Sequence, residues 1–108
     1  MRKHRFVDSD ETRPIEIEHQ CEELYVGEEL EQEYNCIVYH FESSGAYFWA
    51  RARTDEIQTV SVYGPFENRR AMNRIPGRPD EGMLSYLKRR FRKIPALAND
   101  GYVEIWSR

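Results

Sequence analysis

A chain of 108 residues with 19 acidic and 16 basic side chains has room for one domain, spanning 1–108, and not for two. By the surface scaling of folded monomers it would bury roughly two thirds of the surface its unfolded form exposes, enough for one core without staples. Only Cys21 and Cys36 are present, which excludes a disulfide scaffold, and charged residues interrupt every window long enough to cross a bilayer.

The start is basic, with Arg2, Lys3 and Arg5, but Asp8, Asp10 and Glu11 follow where a signal peptide needs an apolar stretch. A basic and acidic flexible arm over residues 1–12, a cytoplasmic location and no membrane partner are the expectations. Charge is segregated along the chain. Residues 8–33 hold eleven acids against Arg13 alone, whereas residues 51–93 hold eleven bases against five acids. The two halves either cancel within the fold or form separate patches able to steer partners of opposite sign.

Residues 13–18, Arg-Pro-Ile-Glu-Ile-Glu, alternate apolar and charged and predict a first strand, at an edge because Pro14 cannot donate to a ladder. Residues 19–34 mix helical and strand spacing and predict a short helix or loop. Residues 36–54 predict a β-hairpin around a three-residue loop, Ser43-Ser44-Gly45. That register places Ile37, Tyr39, Phe41, Tyr47, Trp49, Arg51 and Arg53 on one face, with Val38, His40, Ala46, Phe48, Ala50 and Ala52 on the other. Residues 59–63 predict a third strand closed by Gly64-Pro65. Ala71, Met72 and Ile75 stand at helical spacing and predict a short helix over 67–75.

A second helix begins near Pro79-Asp80-Glu81, with Leu84, Leu87, Phe91 and Ile94 as its apolar stripe and Pro95 as its end. Asn99-Asp100-Gly101 signals a turn, and residues 102–106 a closing strand. The expected class is α+β: an antiparallel sheet, a meander of about three strands plus N- and C-terminal strands, with two helices packed on one face.

Two constellations carry binding chemistry. The acidic segment interleaves Glu22, Glu23, Glu28, Glu29, Glu31 and Glu33 with Tyr25 and other apolar residues, so carboxylates could steer a basic partner while hydrophobic anchors supply affinity. The hairpin aromatics Tyr39, Tyr47 and Trp49 would extend that surface. Alternatively, Arg51 and Arg53 beside those aromatics, with Lys88, Arg89, Arg92 and Lys93 on the second helix, could meet nucleic-acid phosphates and bases. The acidic overall balance weighs against general nucleic-acid affinity.

His19, Cys21, Cys36 and His40 are potential zinc ligands, but in a regular strand Cys36 and His40 would stand about 13 Å apart, too far to share one tetrahedral ion. Gly64-Pro65-Phe66 and Pro76-Gly77-Arg78-Pro79 lack the spacings of phosphate-cradling loops. No catalytic residue, metal or cofactor is therefore expected, and the chain does not read as an enzyme. The residues point to a protein-binding module, a small inhibitor or adaptor that occupies a partner's basic or nucleic-acid-binding surface, of the kind phages and other mobile elements carry against host defence. A small nucleic-acid-binding protein is the alternative. A homodimer through an open aromatic face is a further expectation.

Overall fold

The computed structural model describes residues 11–56, 58–98 and 101–107. Six strands and one helix follow in the order β1 (Glu16–Val26), β2 (Glu29–Ser43), β3 (Ala46–Arg53), β4 (Ser61–Phe66), α1 (Glu81–Lys88), β5 (Lys93–Ala98) and β6 (Gly101–Ser107). The strands lie side by side in sequence order, and every neighbouring pair is antiparallel except β4 and β5. Those two run parallel because α1 carries the chain back across the sheet between them, the connection a parallel pair requires. The described residues are thus mainly β around a mixed sheet with a single helix among them, which corrects the expected antiparallel sheet with two helices.

Three local causes account for the differences. Over 67–75 no helix forms. The Asn68 side-chain oxygen accepts from the backbone N–H of Arg70 at 2.9 Å and of Ala71 at 2.7 Å. The chain then folds back, with Glu67 N–H donating to Asn73 O and Ile75 N–H to Pro65 O. A side chain that offers the backbone such bonds competes with helix. The second helix stops at Lys88, because Arg92 and Lys93 turn their N–H groups to Gln58 O and begin a strand. Ile94, which precedes Pro95 and is therefore biased to extended backbone, reaches the core as a strand residue. Residues 19–34 are neither helix nor loop; they belong to the long β1–β2 hairpin, turned at Gly27 with φ +67°. Gly at the first of two central positions suits a type II′ turn.

The β2–β3 hairpin closes through two residues, Ser44 (φ 52°) and Gly45 (φ 78°), with Ser43 opposite Ala46. Positive φ at both central positions matches a type I′ turn. The register is therefore one residue off the expected one, and in a strand pair that exchanges faces. Phe41 stands opposite Phe48, and Tyr39 opposite Ala50, facing α1. Tyr47, Trp49 and Arg51 share the other face with Val38 and His40, so the expected aromatic platform is split.

The core lies between the sheet and α1: Phe41, Phe48, Ala50, Val62, Met83, Leu87, Phe91 and Ile94 are all buried. Asp80 caps α1, accepting from Met83 N–H at 3.1 Å, and also accepts from the Thr12 hydroxyl at 3.0 Å, which docks the start of the described chain on the helix. None of the helices of the described residues is long and apolar enough to cross a membrane.

β1 and β2 outrun their neighbour. β3 ends at Arg53, opposite Cys36, and Thr54 N–H donates the last cross-strand bond to Asn35 O. Beyond that point residues 22–34 pair, among the described residues, only with each other and project as a two-stranded ribbon. Hence the radius of gyration is 15.7 Å and the longest axis 63 Å against 28 and 25 Å. A compact chain of this length would have a radius of about 13 Å.

Candidate functional site

The ribbon carries Glu22, Glu23, Glu28, Glu29, Glu31 and Glu33 and no basic residue. Its register sets Glu23 opposite Glu33, and past a shift at Leu24/Tyr25 it sets Tyr25 opposite Leu30 and Val26 opposite Glu29. Tyr25, Val26 and Leu30 are 53%, 64% and 47% exposed. Tyr25 donates its hydroxyl to Glu23 at 2.9 Å, so an exposed aromatic and a carboxylate stand together near the tip. The acidic segment read from the sequence is therefore one structural unit.

The rest of the expected partner surface is elsewhere. Tyr39 belongs to the core, edge-on to Tyr86 and Phe91 at ring distances of 6.1 and 5.9 Å. Tyr47 and Trp49 sit on the sheet face opposite α1, in the body. Trp49 stacks on Tyr63 at 3.9 Å with the planes 13° apart. The alternative set also separates. Since α1 ends at Lys88, residues 89–93 form no helical stripe, and only Lys88 lies on the helix. Arg89 and Arg90 pair with Glu11 at 3.1 and 3.4 Å, Lys93 with Glu104 at 3.9 Å, and Arg53 with Asp55 at 2.9 Å. Lys88 lies over the Trp106 ring, 5.7 Å from its centroid. Arg92 is exposed. In the body the acidic and basic halves meet, Glu11 with Arg89 and Arg90 and Glu16 with Arg69, whereas the ribbon segment 22–34 contains no base.

On the face opposite α1 the sequence reading missed a polar cluster. His40, 6% exposed, has Tyr47 Oη 2.6 Å from Nδ1 and Glu18 Oε1 2.9 Å from Nε2. The bonds to His40 and to Gln20, with the nearby Arg69 charge, hold the Glu18 carboxyl below its ordinary range. An ionised Glu18 can only accept, so His40 Nε2 carries hydrogen, and in the neutral ring Nδ1 accepts the Tyr47 proton. Arg69, from the loop after β4, binds Glu16 at 2.6 Å and passes 3.4 Å from His40 Nε2.

Carboxylate, imidazole and hydroxyl in a row have the layout of a nucleophile with its base and orienting acid. Tyr47 is only 3% exposed, however, and burial pushes its hydroxyl up, away from an activated phenolate. Glu16, Glu18 and His40 also bring three possible metal-ligand atoms within 4.8 Å of one another. The Arg69 guanidinium stands among them and supplies the positive charge a cation would bring. The cluster is a hydrogen-bonded network that ties β1, β2, β3 and the loop, with His40 and Tyr47 buried and Glu16, Glu18 and Arg69 at the surface. Alternation along β1 turns His19 and Cys21 to the face opposite Glu18 and His40.

Beside this cluster Arg51 donates to Tyr63 Oη at 3.2 Å, and the hydroxyls of Tyr63 and Tyr102 meet at 2.5 Å. Burial and that contact push the Tyr63 hydroxyl up to about 12. A cavity of about 390 Å³ opens here between the sheet and the loop carrying Arg69 and Met72. No family model matches the chain, and no curated protein or solved structure is detectably similar to it.

Proposed function

We propose that the chain is a protein-binding module whose β1–β2 ribbon occupies a basic, nucleic-acid-binding surface of a partner, acting as a small inhibitor or adaptor. The observation that carries this reading is the concentration of six acids and no base on one ribbon that leaves the body, with Tyr25, Val26 and Leu30 exposed on it. A two-stranded ribbon in water is marginal, and like charges directly opposite weaken it further. A basic surface removes that repulsion, while the exposed aromatic and aliphatic side chains give desolvated anchors. The engagement of Arg53, Arg89, Arg90 and Lys93 with carboxylates favours this over binding through a basic track.

The test is affinity capture from the native host lysate, with and without nuclease, comparing the wild-type chain with a triple variant, Glu28→Lys, Glu29→Lys and Glu31→Lys. A stoichiometric protein that survives nuclease and is lost in the variant supports the reading. Nuclease-sensitive material alone, kept by the variant and lost on charge reversal at Arg89 and Arg92, overturns it.

A further inference from the structure

We propose a second site, independent of the ribbon: the cavity on the sheet face opposite α1 binds a small organic anion, a carboxylate or a phosphate ester, through Arg51. Val38, Trp49, Arg51, Arg69 and Met72 are among the residues lining its volume of about 390 Å³, a size within the range of small-molecule sites. The two cations differ in how they are used. Arg69 is spent on Glu16 at 2.6 Å, whereas Arg51 pairs with no carboxylate among the described residues and makes one hydrogen bond, to Tyr63 Oη. Most of its donor fork is open to a ligand.

Trp49 precedes Arg51 by two residues and shares its face, so strand geometry sets their Cα atoms about 7 Å apart. The Trp49 indole Nε1–H is buried and has no acceptor among the described residues. The guanidinium is a donor only, and a carboxylate or phosphate group is the acceptor-only partner that suits it, with the Trp49 ring beside it in the cavity lining. The rings around them are already ordered, with Trp49 stacked on Tyr63 and the Arg51 guanidinium 5.7 Å from the Tyr63 ring centre. Val38 and Met72 add an apolar wall, which selects an anion with an organic body over a bare ion.

The chain contains two tryptophans, so its spectrum has two indole N–H resonances. The experiment titrates benzoate and, separately, phenyl phosphate while following both. Trp106, with Lys88 over its ring, reports non-specific anion association. The expected result is a saturable shift of the Trp49 resonance with Trp106 unmoved, and the tighter probe tells carboxylate from phosphate. Arg51→Gln should abolish the shift. Should that variant fail to fold, Met72→Glu, at an exposed loop position, brings a competing carboxylate to the cavity and should weaken binding at least tenfold. A Trp49 resonance that moves with neither probe, that only follows Trp106, or that shifts unchanged in the folded Arg51→Gln or Met72→Glu chain overturns the proposal.

Discussion

Tyr47 Oη lies 2.6 Å from His40 Nδ1, and both residues are buried, on adjacent antiparallel strands. The contact satisfies the ring nitrogen that Glu18 does not reach. Tyr47→Phe keeps the ring packing and leaves that nitrogen without its partner. The expected cost is about 1–3 kcal/mol, the range for an unsatisfied buried polar group, read as a lower urea midpoint with an unchanged slope.

Glu18 adds a dependence on acid. Its carboxyl is held below the ordinary glutamate range by the bond to His40 first and to Gln20 next, so the folded state favours the carboxylate. A lowered folded value contributes stability that is present above the unfolded value and lost as pH falls through the folded one. Unfolding midpoints of the wild type should therefore drop more steeply below about pH 4.5 than those of Glu18→Gln, and the two should differ most near neutrality.

Tyr63 gives the opposite sign at high pH. Its hydroxyl is raised from 10.0 to about 12, by burial first and by the Tyr102 contact next. The folded state favours the neutral phenol, so this contribution is complete below pH 10 and is lost between 10 and about 12. Phenolate absorbance should show late ionisation in the folded protein, and Tyr63→Phe should remove part of the alkaline loss of stability.

Gly64 is the backbone position least tolerant of a side chain. Its φ is +119°, and an added Cβ would meet the Tyr47 carbonyl oxygen at 2.9 Å and Phe48 Cδ2 at 3.1 Å. Gly64→Ala should cost about 2 kcal/mol or more, by strain and by displacement of β3. Gly27→Ala, with nothing within 4 Å of the added atom, should cost only the left-handed conformation, about 1 kcal/mol. Thermal unfolding of the two variants checks the order.

How much of this was legible in the sequence depended on burial. The β2–β3 hairpin was readable because its residues alternate against a core, yet Ser43-Ser44-Gly45 suits a three-residue loop as well as the two-residue one found, and that one residue exchanged the faces of Tyr47, Trp49 and Arg51. Residues 22–34 were obscure for the opposite reason: the ribbon pairs only with itself, so no apolar alternation marks it. Gly27 was the available signal. Setting the hairpin there with a regular register would have aligned Glu16 with Tyr39 and Glu18 with Ile37; the shift at Leu24/Tyr25, which no residue pattern marks, is what sets Glu16 opposite His40 and Glu18 opposite Val38. The spacing of Ala71, Met72 and Ile75 misled because Asn68 redirects the backbone locally. Ile94 continued the helical stripe in sequence, but it packs in the core from β5.

Shortening the ribbon tests the central claim most directly. Cys21 stands opposite Asn35, so residues 22–34 can be replaced by an Asn-Gly turn without changing the register of the body. The capture experiment is then repeated after nuclease treatment, with thermal unfolding measured on the same samples. The shortened chain should unfold as cooperatively as the wild type, at a similar temperature, and should capture none of the partner. A shortened chain that folds and still captures the same protein in stoichiometric amount would contradict the assignment of binding to the ribbon.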